Sequence, residues 1–344
     1  TLNNKRTMNP LKYTFFLLII LTWIPSLVYG ELEFIKGKYF IETIPVKKYA
    51  IENKNISVIQ DTNGLLYIGN NNGIIQYDGV HWKKLAKMPN PVFAINRDGR
   101  IYVGGYNDFG YLTSSEKGVH YISLADTSFK AGRIHKMLFN KDTLYLEANN
   151  VLYTFQNGCL EEVCRSQSNI RIFSPNDQSI YIYNKQNGLM KLKAGRKKQM
   201  INSRLLKSSP VKILEKKSKL FVILKHGEVL VIKNGKITEN VAIKSRHITD
   251  TDNITITDAT ILKNKIALAT QSNGILVIDE MGYVQNLINT EKGLFAPEVH
   301  RLFVDWNGNL WALHKHGLSM IQCSLGISYF DRHNGIEGEV NDVT

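Results

Sequence analysis

The stretch QDTNGLLYIGNNNGIIQYDG, from Gln60 to Gly79, decides the fold. Within twenty residues it holds a polar turn at Asp61, an apolar run around Tyr67, a turn that ends at Gly73, a second apolar run and a third turn. Short apolar runs separated by Gly and Asn turns predict β-strands joined by hairpins, because these residues accept the positive φ angles of tight turns. If this unit recurs along the chain, the sequence predicts a repeat fold; if it does not, the stretch is a single hairpin.

The same order of strand, polar turn, strand, Gly turn and strand recurs along the chain. Its nearest copy is VHRLFVDWNGNLWALHKHGLSMIQ, from Val299 to Gln322, in which Asp305 takes the place of Asp61 and Trp311 that of Tyr67. Five weaker copies lie between these two and begin at Pro91, Arg133, Ile170, Pro210 and Ile256. The chain therefore contains seven copies of one unit.

The spacing of the copies indicates which repeat fold they build. Their second-strand anchors are 35 to 46 residues apart and are Tyr67, Tyr102, Tyr145, Tyr181, Phe221, Ala267 and Trp311. A unit of this length, made of short strands and tight turns, is typical of one four-stranded propeller blade. A single blade is apolar on both faces and is covered only when blades stack in a closed ring. We predict an all-β fold, a seven-bladed β-propeller of four-stranded antiparallel blades over residues 31–334.

A closed propeller needs a device that joins its last blade to its first. The segment FIKGKYFIETIPV, from Phe34 to Val46, has strand character and precedes the first blade. We expect it to supply the outer strand of the seventh blade, and Ile327 to Phe330 competes for that place. We interpret residues 335–344 as the start of a further blade or as a truncated tail.

The N-terminal residues predict export. Lys12 and the apolar run YTFFLLIILTWI, from Tyr13 to Ile24, follow Met8 and lead to the small residue Gly30. This order is typical of a signal peptide over residues 1–30, in which the residues before Met8 are spurious. The run is shorter than the roughly 20 residues of a membrane span, and an uncleaved anchor is the alternative. We expect a periplasmic protein, anchored in the membrane if it continues beyond Thr344.

Charge and cysteine usage narrow the class of protein. The net charge is +13, and the signal region contributes three positive charges and no acid, which leaves +10 on the rest. For an exported protein we interpret the basic clusters Lys191–Lys198 and Lys212–Lys219 as solvated faces, with an anionic surface or acidic glycan as the alternative. Three cysteines do not frame a fold. Cys159 and Cys164 either pair across a hairpin or remain thiols.

The pattern D-x-x-G-x-L-[YW]-[IA]-x-x-x-x-G-[IL] runs from Asp61 to Ile74 and again from Asp305 to Leu318. It resembles the two-component-regulator propeller repeat. The stretch GNNNGIIQYDGVHW, Gly69 to Trp82, is similar to the first blade of such periplasmic sensors. The resemblance implies a sensor region followed by a β-sandwich, a membrane helix and a kinase, cyclase or DNA-binding module. The β-sandwich, the membrane helix and the output module are not found in this sequence. We therefore expect either a fragment of a longer sensor or a propeller on its own.

Propeller topology predicts where a ligand binds. Turns between the second and third strands share one face of the disc with the connections between blades, and ligands favour that face near the axis. The candidate ligand-binding residues there are Asn70, Asn72, Tyr106, Asp108, Glu147, Asn184, His226, Gln271, His314 and His316. Amides, carboxylates and aromatic rings suit the hydroxyl groups and faces of sugars. The alternative is that Asn and Gly occupy these turns for backbone reasons alone.

Catalytic signatures are absent from the sequence, including G-x-S-x-G, H-E-x-x-H and phosphate-binding Gly-Lys loops. We therefore predict no enzymatic activity, no cofactor and no metal. Asp108 and Glu147 are the pair a propeller glycosidase would use, if their loops adjoin. His300, His314 and His316 lack the acidic or Cys partners of a metal site. Asp61, Asp98 and Asp305 are interpreted as turn residues on the opposite face.

These observations favour a non-catalytic periplasmic sensor whose ligand is a small molecule or an oligosaccharide. It would signal through downstream domains or through a second protomer in a homodimer, and it would not contact nucleic acid. The alternatives are a hydrolase or lyase acting on glycans, and an envelope scaffold for other proteins.

Overall fold

Seven four-stranded antiparallel sheets make up the described part of the chain. The computed structural model describes residues 38–48, 54–116, 118–176, 179–193, 195–245 and 254–324. In six of the sheets the four strands follow one another in chain order, and the seventh sheet includes a strand from the beginning of the described chain. The predicted all-β, seven-bladed propeller is confirmed.

The strands fall into blades in chain order, with β1 as the exception. The strands are β1 (Ile41–Pro45), β2 (Asn55–Gln60), β3 (Leu66–Asn70), β4 (Gly73–Tyr77), β5 (Trp82–Ala86), β6 (Val92–Ile95), β7 (Ile101–Gly104), β8 (Phe109–Ser115), β9 (Gly118–Ser123), β10 (Ile134–Asn140), β11 (Thr143–Ala148), β12 (Val151–Gln156), β13 (Cys159–Arg165), β14 (Arg171–Asn176), β15 (Ser179–Asn184), β16 (Gly188–Lys193), β17 (Arg196–Ile201), β18 (Pro210–Lys216), β19 (Lys219–Leu224), β20 (Glu228–Lys233), β21 (Lys236–Ala242), β22 (Ile256–Leu262), β23 (Lys265–Thr270), β24 (Ile275–Ile278), β25 (Val284–Ile288), β26 (Arg301–Val304), β27 (Leu310–Leu313) and β28 (Gly317–Ile321). Blades 1 to 6 take four strands each from β2 onward, and blade 7 combines β26, β27 and β28 with β1. Short 3-10 helices span Val46–Lys48, Ser203–Leu205 and Thr290–Lys292. Among the described residues, no helix has the length and apolar character that crossing a membrane requires.

The Asp-x-x-Gly pattern forms the same turn in the first and last blades. The Asp61 carboxylate accepts hydrogen bonds from the backbone N–H groups of Asn63 and Leu65, both at 2.9 Å, and from the Tyr67 hydroxyl at 3.2 Å. Gly64 completes the turn with a φ of 87°, which a residue with a Cβ rarely adopts. One carboxylate thus closes the turn and holds the polar tip of the central aromatic residue.

Apolar side chains fill the interfaces between neighbouring blades. The described residues contain seven buried clusters, and each is built from the facing sides of two adjacent blades. Between blades 2 and 3 the buried ring of Phe109 packs edge-to-face on Phe129 and Phe155, with centroids 5.3 and 5.2 Å apart. Burying one such large side chain contributes about 1.5–3 kcal/mol. Stacking therefore covers both faces of every blade, as the repeat predicts.

The ring closes through β1, as the sequence predicts. β1 pairs antiparallel with β28, from Ile41 opposite Ile321 to Pro45 opposite Gly317. The buried amide of Asn55 in blade 1 also donates to the backbone carbonyls of His314 and Gly317 in blade 7, at 3.3 and 3.1 Å. The innermost strands then contact one another in a complete circle, β2 to β6, β10, β14, β18, β22, β26 and back to β2.

Several predictions made from the termini lie outside the described residues. They concern the signal peptide at residues 1–30, the competing strand Ile327–Phe330 and the tail at residues 335–344. Cys159, Cys164 and Cys323 are free thiols. Cys159 and Cys164 lie at opposite ends of β13 rather than on facing strands, so the pairing across a hairpin is not possible in this fold.

Candidate functional site

One face of the disc carries the turns between the second and third strands of each blade together with the connections between blades. We call it the B–C face, and it follows from the antiparallel order of every sheet. The Asp61 and Asp305 turns lie at the opposite ends of the strands. All ten candidate ligand-binding residues lie on or beside the B–C face.

Two of these candidates, Asn70 and Asn184, hold the turns themselves. Asn70 is fully buried, its Oδ1 accepts from the backbone N–H of Asn72 at 3.2 Å, and its amide donates to Asn55 Oδ1 at 3.3 Å. Asn184 is also buried and accepts from the backbone N–H of Asn187 at 2.7 Å. Their side chains are engaged in turn geometry, as the alternative interpretation of these residues expects.

His314 is a core residue. Its exposed fraction is 1%, Nδ1 lies 2.8 Å from the Glu298 carbonyl oxygen, and Nε2 lies 3.0 Å from Ser319 Oγ. Burial lowers the pKa of His314 to about 4, although the Glu298 carbonyl opposes this shift. The ring is neutral near pH 7 and bridges the last connection to blade 7. Within the described residues, no group of His, Cys, Asp and Glu side chains is arranged to hold a metal ion.

Asp108 and Glu147, the candidate catalytic pair, are each held by other groups. Asp108 accepts a hydrogen bond from the Ser123 hydroxyl at 2.6 Å. Glu147 lies within β11 rather than in the following turn, is buried, and accepts from the backbone N–H of Ile172 in blade 4 at 2.7 Å. Burial raises the pKa of Glu147, although Lys136 and the Ile172 N–H oppose the rise. The two carboxyl groups thus stabilise different parts of the fold.

The remaining candidates are accessible to solvent. Tyr106, His226, Gln271 and His316 have exposed side chains, and Asn72 is half-buried in the first turn. They are spread over blades 1, 2, 5, 6 and 7. Each is available for contacts on the B–C face.

A groove lies between blades 3 and 4 on the B–C face. Its volume is about 550 Å³, and its lining comes from the end of β13 and the following connection, the end of β15 and the turn after it, and residues of β16 and β17. The lining residues are Cys164, Arg165, Ser166, Gln167, Ile170, Asn184, Gln186, Asn187, Met190 and Lys197. Of the candidates predicted from the sequence, this groove contains Asn184.

Four of the ten lining residues carry side-chain amides, and two others, Arg165 and Lys197, are cationic. The Gln186 amide donates to Gln167 Oε1 at 2.8 Å, and its own Oε1 accepts from the Ser166 hydroxyl at 3.2 Å. The exposed side-chain amide of Asn187 forms no hydrogen bond among the described residues. Amides present both donors and acceptors, so this lining matches a ligand rich in hydroxyl groups.

A second feature lies on the propeller axis. In blades 3, 5 and 6 the innermost strand has a β-bulge, and the residue after it is Lys136, Lys212 and Asp258 respectively. In blades 4 and 7 the innermost strand begins with Arg171 and Arg301. These five side chains and Glu147 form the channel cluster.

Asp258 connects three blades within the channel cluster. Its carboxylate lies 3.2 Å from Lys212 Nζ in blade 5 and accepts from the backbone N–H of Leu302 in blade 7 at 3.1 Å. Burial alone would raise the pKa of this carboxyl group. Lys212, Arg301 and the backbone N–H groups outweigh burial and hold the pKa of Asp258 below its ordinary value. Asp258 is therefore a buried anion that ties inner strands together.

Lys136 occupies the opposite side of the channel cluster. Its Nζ donates to the Ile172 carbonyl at 2.8 Å and lies 4.9 Å from the centroid of the Phe173 ring. Burial lowers the pKa of Lys136 to about 8, and the charge of Lys212 contributes in the same direction. Glu147, Arg301 and Asp258 also act on this ammonium group, so charges from four other positions of the ring converge on it.

Of the channel cluster, only Glu147 was among the candidates predicted from the sequence. The inner strands of the seven blades meet only because the ring closes. The charged residues on these strands are up to 165 residues apart in the chain, from Lys136 to Arg301. The bulges that precede Lys136, Lys212 and Asp258 cannot be predicted from the spacing of apolar residues. The groove was partly visible, because the turn from Asn184 to Gly188 is rich in amides.

Solved structures with the same fold include extracellular domains from B. thetaiotaomicron. One is that of BT4673, assigned to a one component system in one structure and to a hybrid two component system in another, with a TM-score of 0.66 and 21% identity in the first. The other is that of BT3049, assigned to a hybrid two component system, with a TM-score of 0.63 and 14% identity. The match covers 83% of this chain and 40% of the BT4673 chain, and 82% and 42% for BT3049. The chain thus spans about two fifths of these domains.

Propellers with other activities share the fold as well. Virginiamycin B lyase from Staphylococcus aureus matches with a TM-score of 0.58 and 13% identity, covering 83% of this chain and 99% of that chain. No family model and no curated protein matches the chain. At these identities the likeness shows the fold alone, a seven-bladed β-propeller, and it assigns neither a role nor a ligand.

Proposed function

We propose that this chain is the ligand-sensing propeller of an exported two-component-type signalling protein, and that it binds a sugar-like ligand without converting it. The observation that carries the proposal is the amide-lined groove of about 550 Å³ on the B–C face. A cavity of this size accommodates a small oligosaccharide or a molecule of similar size. Hydroxyl groups of such a ligand would replace the water that solvates Gln167, Gln186 and Asn187.

The fold comparison supports the signalling role. The extracellular domains of BT4673 and BT3049 share the propeller, and each is more than twice as long as the matching part of this chain. The repeat pattern at Asp61 and at Asp305 is similar to that of two-component-regulator propellers. The proposal therefore places the output module, and the partner protomer if there is one, outside this chain, and it places the propeller in the periplasm.

The states of Asp108 and Glu147 favour binding over hydrolysis. A glycosidase needs two carboxyl groups that face one bond, with one of them free to give up a proton. Here Ser123 holds Asp108, and the backbone of Ile172 holds Glu147. A glycan hydrolase or lyase remains the competing function that the experiment below distinguishes.

Titration calorimetry of the purified chain with neutral oligosaccharides of hexoses and pentoses tests the proposal. We expect binding of at least one oligosaccharide, and we expect Gln186→Ala and Asn187→Ala each to weaken it by roughly three- to tenfold through loss of a hydrogen bond. Asn63→Ala, the matched change on the opposite face, should leave the affinity unchanged. Chromatography of the mixture should recover the oligosaccharide intact.

Two results would overturn this function. If the protein cleaves the oligosaccharide and Glu147→Gln abolishes this cleavage, the protein is an enzyme. Absence of binding across the panel, with binding of another envelope protein instead, would make it a scaffold.

A further inference from the structure

We propose that the channel cluster is a binding site for a small oxyanion, a carboxylate, sulfate or phosphate group, with Arg171 and Arg301 as its principal donors. The site lies on the propeller axis and shares no residue with the groove between blades 3 and 4. The inference therefore does not depend on the proposed function.

The first argument is the charge of the cluster. Four cations, Lys136, Arg171, Lys212 and Arg301, stand against two carboxyl groups, Asp258 and Glu147. The excess of positive charge is least favourable at Lys136, because burial removes water from its ammonium group. An anion is the partner that removes this excess.

The second argument is that both carboxyl groups are already engaged. Asp258 accepts from Lys212 and from the backbone N–H groups of Ala259 and Leu302, at 3.2, 2.9 and 3.1 Å. Glu147 accepts from the Ile172 N–H. Asp258 therefore has little acceptor capacity left for the two arginines, and Glu147 is held by the neighbouring blade.

The third argument is the state of the two guanidinium groups. Arg171 and Arg301 are exposed, and neither guanidinium forms a hydrogen bond or an ion pair among the described residues. Their charges nevertheless reach into the cluster, since Arg171 acts on Glu147, and Arg301 acts on both Lys136 and Asp258. A planar guanidinium presents paired N–H donors that match the oxygens of a carboxylate, sulfate or phosphate group.

Other charged groups near the channel do not supply the missing anion. Glu298 is the acid beside blade 7, and its Oε1 lies 3.6 Å from His300 Nε2. Lys54 and Lys315 also act on His300, which adds positive rather than negative charge to this end of the channel. Blades 1 and 2 contribute the uncharged residues Ser57 and Val92 at the corresponding inner-strand positions.

The position of the cluster inside the ring of inner strands favours a small anion as its ligand. The inner strands of all seven blades surround the axis, and Ser57 in blade 1 donates to the Pro91 carbonyl at 2.6 Å, which joins neighbouring inner strands. The oxyanion can be a free ion or the acidic group of a larger ligand.

Calorimetric titrations of the purified chain with sodium phosphate, sodium sulfate and sodium acetate, at an ionic strength held constant with sodium chloride, test the site. We expect one bound oxyanion per chain. The double change Arg171→Gln and Arg301→Gln should weaken phosphate binding by roughly tenfold or more, through loss of two charge-assisted contacts. Arg97→Gln, which removes an exposed arginine on the opposite face, should change it by less than about twofold.

The outcome of each arm supports or overturns the site. Preference for acetate over phosphate and sulfate would identify a carboxylate-bearing ligand, and the reverse order would identify a sulfated or phosphorylated one. Absence of binding by all three ions, or equal losses in Arg97→Gln and in the double variant, would overturn the proposal. Circular dichroism establishes whether the variants are folded. If the double variant is unfolded, the single variants Arg171→Gln and Arg301→Gln are titrated in its place.

Discussion

Asp305 and Asp258 are both buried aspartates, yet they belong to two very different regions of the propeller. The Asp305 carboxylate accepts hydrogen bonds from the backbone N–H of Asn309 at 2.8 Å and from the Trp311 indole N–H at 2.9 Å. Its partners therefore lie within six residues in the chain. Asp258 bonds Lys212, 46 residues before it, and Leu302, 44 residues after it. The first builds a turn and the second joins three blades. The comparison teaches that one residue type serves local folding at one face of the disc and long-range assembly on its axis.

The largest expected effect is that of Asp258→Ala. The change leaves Lys212 without its counter-ion near Lys136 and also leaves two buried N–H groups unpaired, so we expect about 3 kcal/mol of lost stability. Urea denaturation measures this loss. The double variant Asp258→Ala with Lys212→Met should lose less than Asp258→Ala alone, because the ammonium group that loses its counter-ion is then absent as well. A larger loss in the double variant would show that the ion pair is not the source of the stability.

A smaller effect is expected at the turn. Asp305→Ala removes the acceptor of the Trp311 indole and of two donors of Asn309, and we expect a loss of about 2 kcal/mol. Asp98→Ala is the matched control, because Asp98 is exposed in the corresponding turn of blade 2 and should cost less than about 0.5 kcal/mol. Chemical denaturation of both variants gives the comparison. Equal losses would mean that the carboxylate's contact with the aromatic residue adds nothing.

His314 predicts how stability depends on pH. Its pKa is lowered from 6.5 to about 4 in the folded protein, so between these values only the unfolded chain binds the proton. Stability contributed by His314 is complete above its ordinary pKa and decreases as the pH falls towards 4, by about 2 kcal/mol between pH 7 and pH 5. Denaturation of the wild-type protein and of His314→Gln at both pH values measures it. Identical pH dependences would contradict the buried, neutral ring.

The smallest effect separates the hydrogen bond of Trp311 from its packing. Trp311→Phe keeps an aromatic ring in the interface between blades 7 and 1 but removes the donor to Asp305, and we expect a loss of about 1 kcal/mol. In the Asp305→Ala background the same change should cost less, because the bond is already absent. Thermodynamic cycles from urea denaturation give this coupling. Additive losses would place the contribution of Trp311 entirely in packing.

The repeat pattern predicts the fold well because its physical basis is local. Asp61, Gly64 and Tyr67 define one turn and one strand within seven residues, and the period of the copies gives the number of blades. The clasp was also predictable, because Ile41–Pro45 is a strand that precedes blade 1 without a partner of its own in chain order. Local chemistry and the need to cover both faces of each blade together determine the ring.

The candidate site was only partly predictable, for a reason that Glu147 and His314 illustrate. Polar residues near a turn face either the solvent or the next blade, and the choice depends on bulges and on neighbours that spacing does not encode. Asn184 was found together with the groove, because the groove wall is itself a turn. Lys136 and Arg301 were not, because only ring closure brings blades 3 and 7 to the same axis.

Hydrogen–deuterium exchange with and without the oligosaccharide that binds best tests the central claim most directly, namely that binding belongs to the B–C face and that the opposite turns are structural. The account predicts slower exchange in peptides that cover residues 164–170 and 184–190. It predicts no change at the turns Asp61–Gly64 and Asp305–Gly308. Protection at those two turns, with none along the groove, would contradict the account.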